Sequence, residues 1–164
     1  MSSKNNSLDK GSNFVAPLSE MEDIIKESIK DGGRFTMMTA GTSMKPLLRN
    51  RKDYVVLAKP EGQLKKYDIP LYKRPSGQYT LHRVMKVTEN GYTMCGDNQL
   101  IFEKNVREDS VIAVVSKVIK NGKEIDLKTS KIYQFYVFLW CKCFFLRFVP
   151  LKIRAFLSRI RRFF

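Results

Sequence analysis

Cysteine and histidine are scarce in this sequence of 164 residues, which has three cysteines and one histidine. The cysteines are odd in number (Cys95, Cys141 and Cys143) and no two of them have the CxxC spacing. Neither a disulfide framework nor a zinc site is therefore supported. The sequence also has no internal repeat, no glycine-rich phosphate loop and no helix-turn-helix pattern. It implies no metal and no cofactor.

Long uncharged apolar runs are also missing. Residues 1–17 form a polar segment that begins with many Ser, Asn and Lys residues, and we expect it to be disordered. It has no apolar core of the kind that a signal peptide or an N-terminal anchor needs. The longest apolar candidate, residues 132–149, is interrupted by Lys142 and Arg147. A membrane-spanning helix needs about 20 mostly apolar residues, so this stretch is marginal.

Acidic residues are absent from residues 131–164, which carry eight of the basic residues and 11 of the 19 aromatic ones. The formal net charge of the whole chain is +14, which suggests an anionic partner. Basic and aromatic residues without acids favour a lipid surface over nucleic acid. We predict that residues 131–164 form a helical, membrane-associating tail at the cell membrane, with the side of the membrane left open. A helix in residues 151–164 that docks on the protein core is the alternative.

The rest of the chain has the pattern of a mainly β domain, for which we predict the bounds 18–130. Residues 18–30 have helical periodicity and end at Asp31-Gly32-Gly33. Short strands separated by turn residues follow, and the predicted strands cover residues 34–39, 53–57, 69–72, 78–88, 92–95, 111–119 and 123–127. The expected fold class is α+β, with a curved antiparallel β structure after an N-terminal helix.

One short stretch, Gly41-Thr42-Ser43-Met44-Lys45-Pro46, lies where the first apolar strand turns into a basic loop. A serine at such a bend can present its hydroxyl beside backbone N–H groups, which is the arrangement of a nucleophile next to an oxyanion hole. An ordinary strand-to-turn junction has the same composition and is the alternative.

Two further residues strengthen the interpretation of Ser43 as a nucleophile. His82 is the only histidine, and imidazole is the side chain whose ordinary pKa suits a general base near neutral pH. Asp97, within Gly96-Asp97-Asn98, could hold the imidazole in the correct tautomer. The alternatives are a surface histidine on a strand and an aspartate that only stabilises a turn.

Five segments in this order resemble the catalytic domain of type I signal peptidases and of the related LexA-like serine peptidases. The segments are GTSMKP (41–46), DYVVL (53–57), KKYDIPLYKR (65–74), LHRVMKV (81–87) and YTMCGDNQ (92–99). The resemblance implies a curved β fold with a groove in which the substrate binds as an extended strand.

The resemblance also implies site residues. Ser43 matches the nucleophile, and His82 lies where the archaeal and endoplasmic-reticulum type has its histidine and most bacterial members have lysine. Asp97 matches the aspartate that supports this histidine. Family members often have a serine two residues before the nucleophile, but here that residue is Gly41. The oxyanion hole would then use Ser43 N–H and Thr42. A second aspartate is not evident after Asp97, and Glu103 is the candidate to replace it.

We therefore predict a membrane-associated serine endopeptidase that removes a leader or signal segment from a peptide or protein substrate. Two alternatives stay open. One is a LexA-like or peptide-maturation protease in the cytoplasm with one dedicated substrate. The other is a catalytically idle module that is tethered to the membrane and uses the groove for binding. Nucleic acid is an unlikely partner.

Overall fold

The computed structural model describes residues 18–142, so the predictions for residues 1–17 and 143–164 lie outside the described residues. The helices are α1 (Leu18–Ser28) and α2 (Lys131–Val137), with short 3-10 turns at Lys30–Gly32 and Glu108–Ser110 and a π-helical turn at Phe138–Lys142. The strands are β1 (Phe35–Met38), β2 (Tyr54–Ala58), β3 (Pro70–Lys73), β4 (Tyr79–Leu81), β5 (Arg83–Thr88), β6 (Gly91–Cys95), β7 (Glu103–Val106), β8 (Val111–Lys120) and β9 (Lys123–Asp126). This part of the chain is mainly β, as predicted, with a curled antiparallel sheet and few helices.

The strands form two antiparallel sheets. The larger has the order β1-β2-β8-β3-β4, and β9 pairs with the end of β8. The smaller has the order β5-β6-β7. Long strand β8 holds the larger sheet together because β2 pairs along one of its edges while β3 and β9 share the other. Strands β1 and β4 are left as the outer strands of the larger sheet, each with one paired edge.

The main core lies between the larger sheet and α1. Ile25 and Ile29, four residues apart on α1, are both buried, as the helical periodicity of this segment predicts. They pack in one cluster with buried side chains of β2, β3 and β8, and with Met44, Leu47 and Leu48 from the loop after β1. Burial of a side chain of this size contributes roughly 1.5–3 kcal/mol, so the loop is held by its own apolar residues.

The prediction of one continuous strand over residues 78–88 is wrong in a way that matters for the site. Strand β4 ends at Leu81 in the larger sheet, and β5 begins at Arg83 in the smaller one. His82 therefore lies at the junction of the two sheets. The sequence also did not indicate β7, whose residues Glu103–Val106 include only one β-branched residue.

Helix α2 packs on the domain, although the predicted boundary placed residue 131 at the start of a separate tail. Tyr133 is buried in the main core. Its hydroxyl accepts a hydrogen bond from Arg83 Nη1 at 2.7 Å, and Tyr136 and Trp140 donate to Asp97. Residues 131–142 thus belong structurally with residues 18–130. Within residues 18–142, no helix is both long enough and apolar enough to cross a membrane.

Candidate active site

Ser43 lies in the loop between β1 and β2, and polar contacts close the base of this loop. Thr39 N–H and Thr39 Oγ1 both donate to the carbonyl of Asp53, at 3.0 and 2.9 Å. The buried carboxylate of Asp53 in turn accepts from the backbone N–H and the guanidinium of Arg49. Together with the buried Met44 and Leu48, these contacts fix the loop on both sides of the half-buried serine.

The backbone before Ser43 is suited to an oxyanion hole. Gly41 has a φ of 94°, a left-handed conformation that a residue with a side chain rarely adopts. Its N–H donates to Asn50 Oδ1 at 2.8 Å. Among the described residues, no acceptor takes the N–H of Thr42 or Ser43. The sequence analysis named Ser43 N–H and Thr42 for the oxyanion hole, and in the structure both backbone N–H groups are available to donate to a developing oxyanion.

The segment Gly96-Asp97-Asn98 packs directly against the serine. Asn98 N–H donates to the carbonyl oxygen of Ser43 at 2.7 Å. A Cβ atom on Gly96 would lie 2.7 Å from the same oxygen, which is closer than real Cβ contacts allow. Residue 96 must therefore be glycine for the two segments to approach, and the approach positions the backbone of Ser43.

We expect Gly96→Ala to impair the site more than the fold. The added methyl group must push the Ser43 backbone away, and a shift of about 1 Å at a reacting group can reduce a rate about 100-fold. The rate of Ser43 acylation by a serine-directed probe measures this effect. Gly122→Ala is the control, because it strains a glycine with a φ of 76° but adds a methyl group that would meet no atom within 4 Å. Acylation of Gly96→Ala at the wild-type rate would show that this contact does not position Ser43.

His82 is 1% exposed and is held by Glu103. The distance from His82 Nδ1 to Glu103 Oε1 is 2.9 Å. Tyr72 donates its hydroxyl to the other carboxylate oxygen at 2.9 Å, and Arg74 Nε donates to it at 2.9 Å. A carboxylate at Nδ1 selects the tautomer with the proton on Nδ1, so Nε2 keeps the lone pair that a base needs.

The charges of this cluster favour a neutral histidine beside an ionised glutamate. Burial lowers the pKa of His82 below its ordinary value, and the opposing effect of Glu103 does not restore it. Burial acts to raise the pKa of Glu103, but hydrogen bonds from Arg74 and Tyr72 outweigh it and keep that pKa below its ordinary value. Burial also raises the pKa of Tyr72, which therefore stays a donor. His82 is thus an unprotonated base at neutral pH.

Asp97 makes no hydrogen bond or ion pair with His82 among the described contacts, although the sequence predicted that it orients the imidazole. Its carboxylate accepts from Arg83 Nε and Nη2 at 2.8 and 2.6 Å, and both residues are completely buried. The physical reason is that a buried guanidinium needs an ionised partner. Glu103, which the sequence marked only as a substitute, makes the contact instead. Tyr72 and Arg74, which complete the cluster, carried no signal in the sequence beyond their place in one of the matching segments.

Ser43 and His82 line one open cavity with a volume of about 620 Å³. Strands β1 and β4 contribute apolar walls, including Met37, Tyr79 and Leu81. No hydrogen bond joins Ser43 to His82 among the described contacts, and such bonds often form only when the substrate is bound. The arrangement brings together a serine, a neutral imidazole and two backbone donors, which is a set that acyl transfer can use.

Within residues 18–142, no group of three or more His, Cys, Asp or Glu side chains could hold a metal ion. The chain has been compared with protein-family models, with curated proteins and with solved structures. None of the three comparisons finds a match.

Proposed function

We propose that this chain is a serine endopeptidase of the signal-peptidase type. The observation that carries the proposal is that Ser43 lines the same cavity as His82, whose Nδ1 is held by Glu103. A serine without a base in the same cavity would have no group to take its proton. The five matching sequence segments support the family, and the mainly β, antiparallel fold is consistent with it.

In the proposed mechanism, Ser43 Oγ attacks the carbonyl carbon of the scissile peptide bond while His82 Nε2 takes its proton. Ionised Glu103 stabilises the imidazolium that forms, and the N–H groups of Ser43 and Thr42 donate to the oxyanion. The C–N bond then breaks as the imidazolium returns the proton to the leaving amine. Water hydrolyses the acyl-enzyme by the same proton transfers. Asp97 is a positioning residue, because it acts through the segment that packs on Ser43.

The substrate in this proposal is a peptide that binds in an extended conformation. The cavity lies between β1 and β4, and each of these strands has one edge without a partner strand in the described sheet. An extended peptide can add to such an edge through backbone hydrogen bonds, and its side chains then enter the apolar walls of the cavity. We propose a leader or signal segment as this substrate, on the basis of the family resemblance.

We also propose that the enzyme works at the cell membrane. The support is the basic and aromatic composition of residues 131–164, which contain no acid. A protein of this kind would meet leader segments at the lipid surface.

A serine-directed probe tests the proposed activity without knowledge of the substrate. We expect an alkyl fluorophosphonate or an acylating β-lactam to add one group to the wild-type protein, located on Ser43 by peptide mass spectrometry. Ser76→Ala, which removes an exposed turn serine, is the matched control and should be labelled like the wild type. Ser43→Ala should not be labelled. A wild-type protein that resists both probes at neutral pH would favour the idle binding module.

A further inference from the structure

A second cavity lies beside α2, and none of its lining residues also lines the cavity of Ser43. We name it the α2 cavity. Its volume is about 530 Å³, which lies within the size range of small-molecule sites. Residues of β2, of β8, of the loop between β2 and β3, and of α2 line it together. The proposed peptidase mechanism makes no use of this cavity.

The floor of the α2 cavity is apolar. Its lining includes five buried residues from these four parts of the fold, namely Ala58, Leu64, Ile69, Val115 and Tyr133. The half-buried side chain of Val137 on α2 adds to this surface. An apolar group that enters the cavity would leave water and contact these side chains, so the hydrophobic effect favours such a ligand.

The charged residues around the α2 cavity are mostly cationic. The cavity is lined by five exposed cations, which are Arg34, Lys59, Lys65, Lys66 and Lys128. Two acids also line it. Glu61 pairs with Lys128, and Asp68 accepts a hydrogen bond from the backbone N–H of Lys65. Five cations therefore stand against two acids in the same cavity that has the apolar floor.

Three of these cations have no acidic partner among the described residues. The side chains of Lys59, Lys65 and Lys66 form no ion pair there. Lys66 Nζ lies 5.1 Å from the centroid of the Tyr67 ring, and Tyr67 also lines the cavity. The charges of these three lysines are thus available to an anion at the rim of the cavity.

We propose that the α2 cavity binds a small anionic amphiphile, which has one acyl chain and one carboxylate or phosphate head group. The acyl chain lies on the apolar floor, and the head group pairs with Lys59, Lys65 and Lys66 at the rim. The volume favours a small ligand over a protein partner, because a stable protein interface covers much more surface than one cavity of this size. This inference goes beyond the proposed peptidase and does not depend on it.

The test is isothermal titration calorimetry of the purified full chain, with each ligand kept below the concentration at which it forms micelles. Laurate and dodecyl phosphate have the same chain length and carry the two head groups. At least one should bind with one molecule per chain, and the tighter of the two identifies the head group. Acetate has a head group without a chain, and dodecyl maltoside has the chain without a charge. Each should bind about tenfold more weakly or less well still.

Lys59→Glu/Lys65→Glu tests whether the amphiphile lies in the α2 cavity. It reverses two charges of the rim, and neither side chain makes a hydrogen bond or an ion pair among the described contacts. Binding of the tighter amphiphile should weaken about tenfold or more, because two attractions become repulsions. Wild-type affinity in this variant would place the ligand elsewhere and overturn the proposal.

Lys52→Glu/Lys123→Glu is the matched control, with the same change in net charge. Both lysines are exposed, and neither lines the α2 cavity. We expect this control to weaken binding less than about threefold, because its charges act only from a distance. An equal loss in the two double variants would overturn the proposal and assign binding to net charge alone.

Two ligand results would also overturn the proposal. Binding of dodecyl maltoside as tight as that of the anionic amphiphiles would remove the role of the cations. Tighter binding of a synthetic peptide of alternating Glu and Leu residues, lost in Lys59→Glu/Lys65→Glu, would assign the cavity to an acidic protein partner. Calorimetry needs no enzymatic activity. Failure of the serine-directed probe would therefore defeat only the peptidase, and absence of amphiphile binding would defeat only this inference.

Discussion

Ser43→Ala should abolish cleavage of the natural substrate, with a fall in kcat on the order of 10⁵-fold or more, because it removes the proposed nucleophile. The fold should be unaffected. Ser43 is half-buried and its hydroxyl makes no hydrogen bond among the described contacts, and removal of such a hydroxyl usually changes the free energy of unfolding by less than about 0.5 kcal/mol. The expected result is a stable, correctly folded and inactive protein.

The measurement can also identify the substrate. Protein N-termini from cells with the wild-type protein are compared with those from cells with Ser43→Ala at equal abundance, and with Ser76→Ala as the control. Termini that occur with the wild type and Ser76→Ala but not with Ser43→Ala mark the cleavage sites. Each site is then tested as a synthetic peptide with purified protein. Cleavage of such a peptide by purified Ser43→Ala would end the assignment of Ser43 as the nucleophile.

His82→Ala should reduce cleavage nearly as much, on the order of 10⁴-fold, because it removes the proposed general base. The pH dependence gives a sharper test. In the proposed mechanism His82 acts as a base in its neutral form, so activity should be present above its pKa and be lost as the pH falls through it. Burial holds this pKa below the ordinary value of 6.5. The acidic limb of the rate profile should therefore lie below pH 6.5, and the enzyme should be fully active at neutral pH.

Two amide variants separate the roles of the two carboxylates. Glu103→Gln removes the charge that raises the pKa of His82 and stabilises the imidazolium. We expect a fall in kcat on the order of 10³-fold or more and an acidic limb that moves further below that of the wild type. Asp97→Asn leaves the guanidinium of Arg83 buried without its counter-ion. It should cost about 3–5 kcal/mol of stability and move the acidic limb less than Glu103→Gln does, because the charge of Asp97 acts more weakly on the pKa of His82 than that of Glu103.

The opposite effects on the pH profile would contradict the assignment of Glu103 as the carboxylate that acts on His82. If Asp97→Asn moves the acidic limb and Glu103→Gln does not, then Asp97 is the group that acts on the imidazole. Lys86→Ala is the control for a lysine base, because Lys86 is exposed and lines a different cavity from Ser43. A substantial loss of activity in this variant, together with a purely alkaline profile, would point to lysine chemistry.

The sequence predicted those elements and site residues that depend on local residue patterns. Helix α1 and most strands follow from periodicity and turn residues, and Ser43 and His82 stand out as a serine at a bend and a lone histidine. The partners of the histidine depend on long-range packing. Glu103 reaches His82 because β7 pairs with β6, and β7 has no strong strand signal. The pairing of Asp97 with Arg83 follows from the break at His82, which the regular alternation of residues 78–88 concealed.

The position of α2 in the chain has a consequence for biosynthesis. A nascent polypeptide that has emerged only as far as residue 130 already contains every strand of both sheets. It still lacks Tyr133, Tyr136 and Trp140, so the Arg83–Asp97 pair is open to water, and the segment that packs on Ser43 has lost its cover. Because translation proceeds at about 5–20 residues per second, the sheets have time to form before the helix arrives. The segment that packs on Ser43 is therefore covered last, and the proposed peptidase activity should appear only after residues 131–142 have left the ribosome.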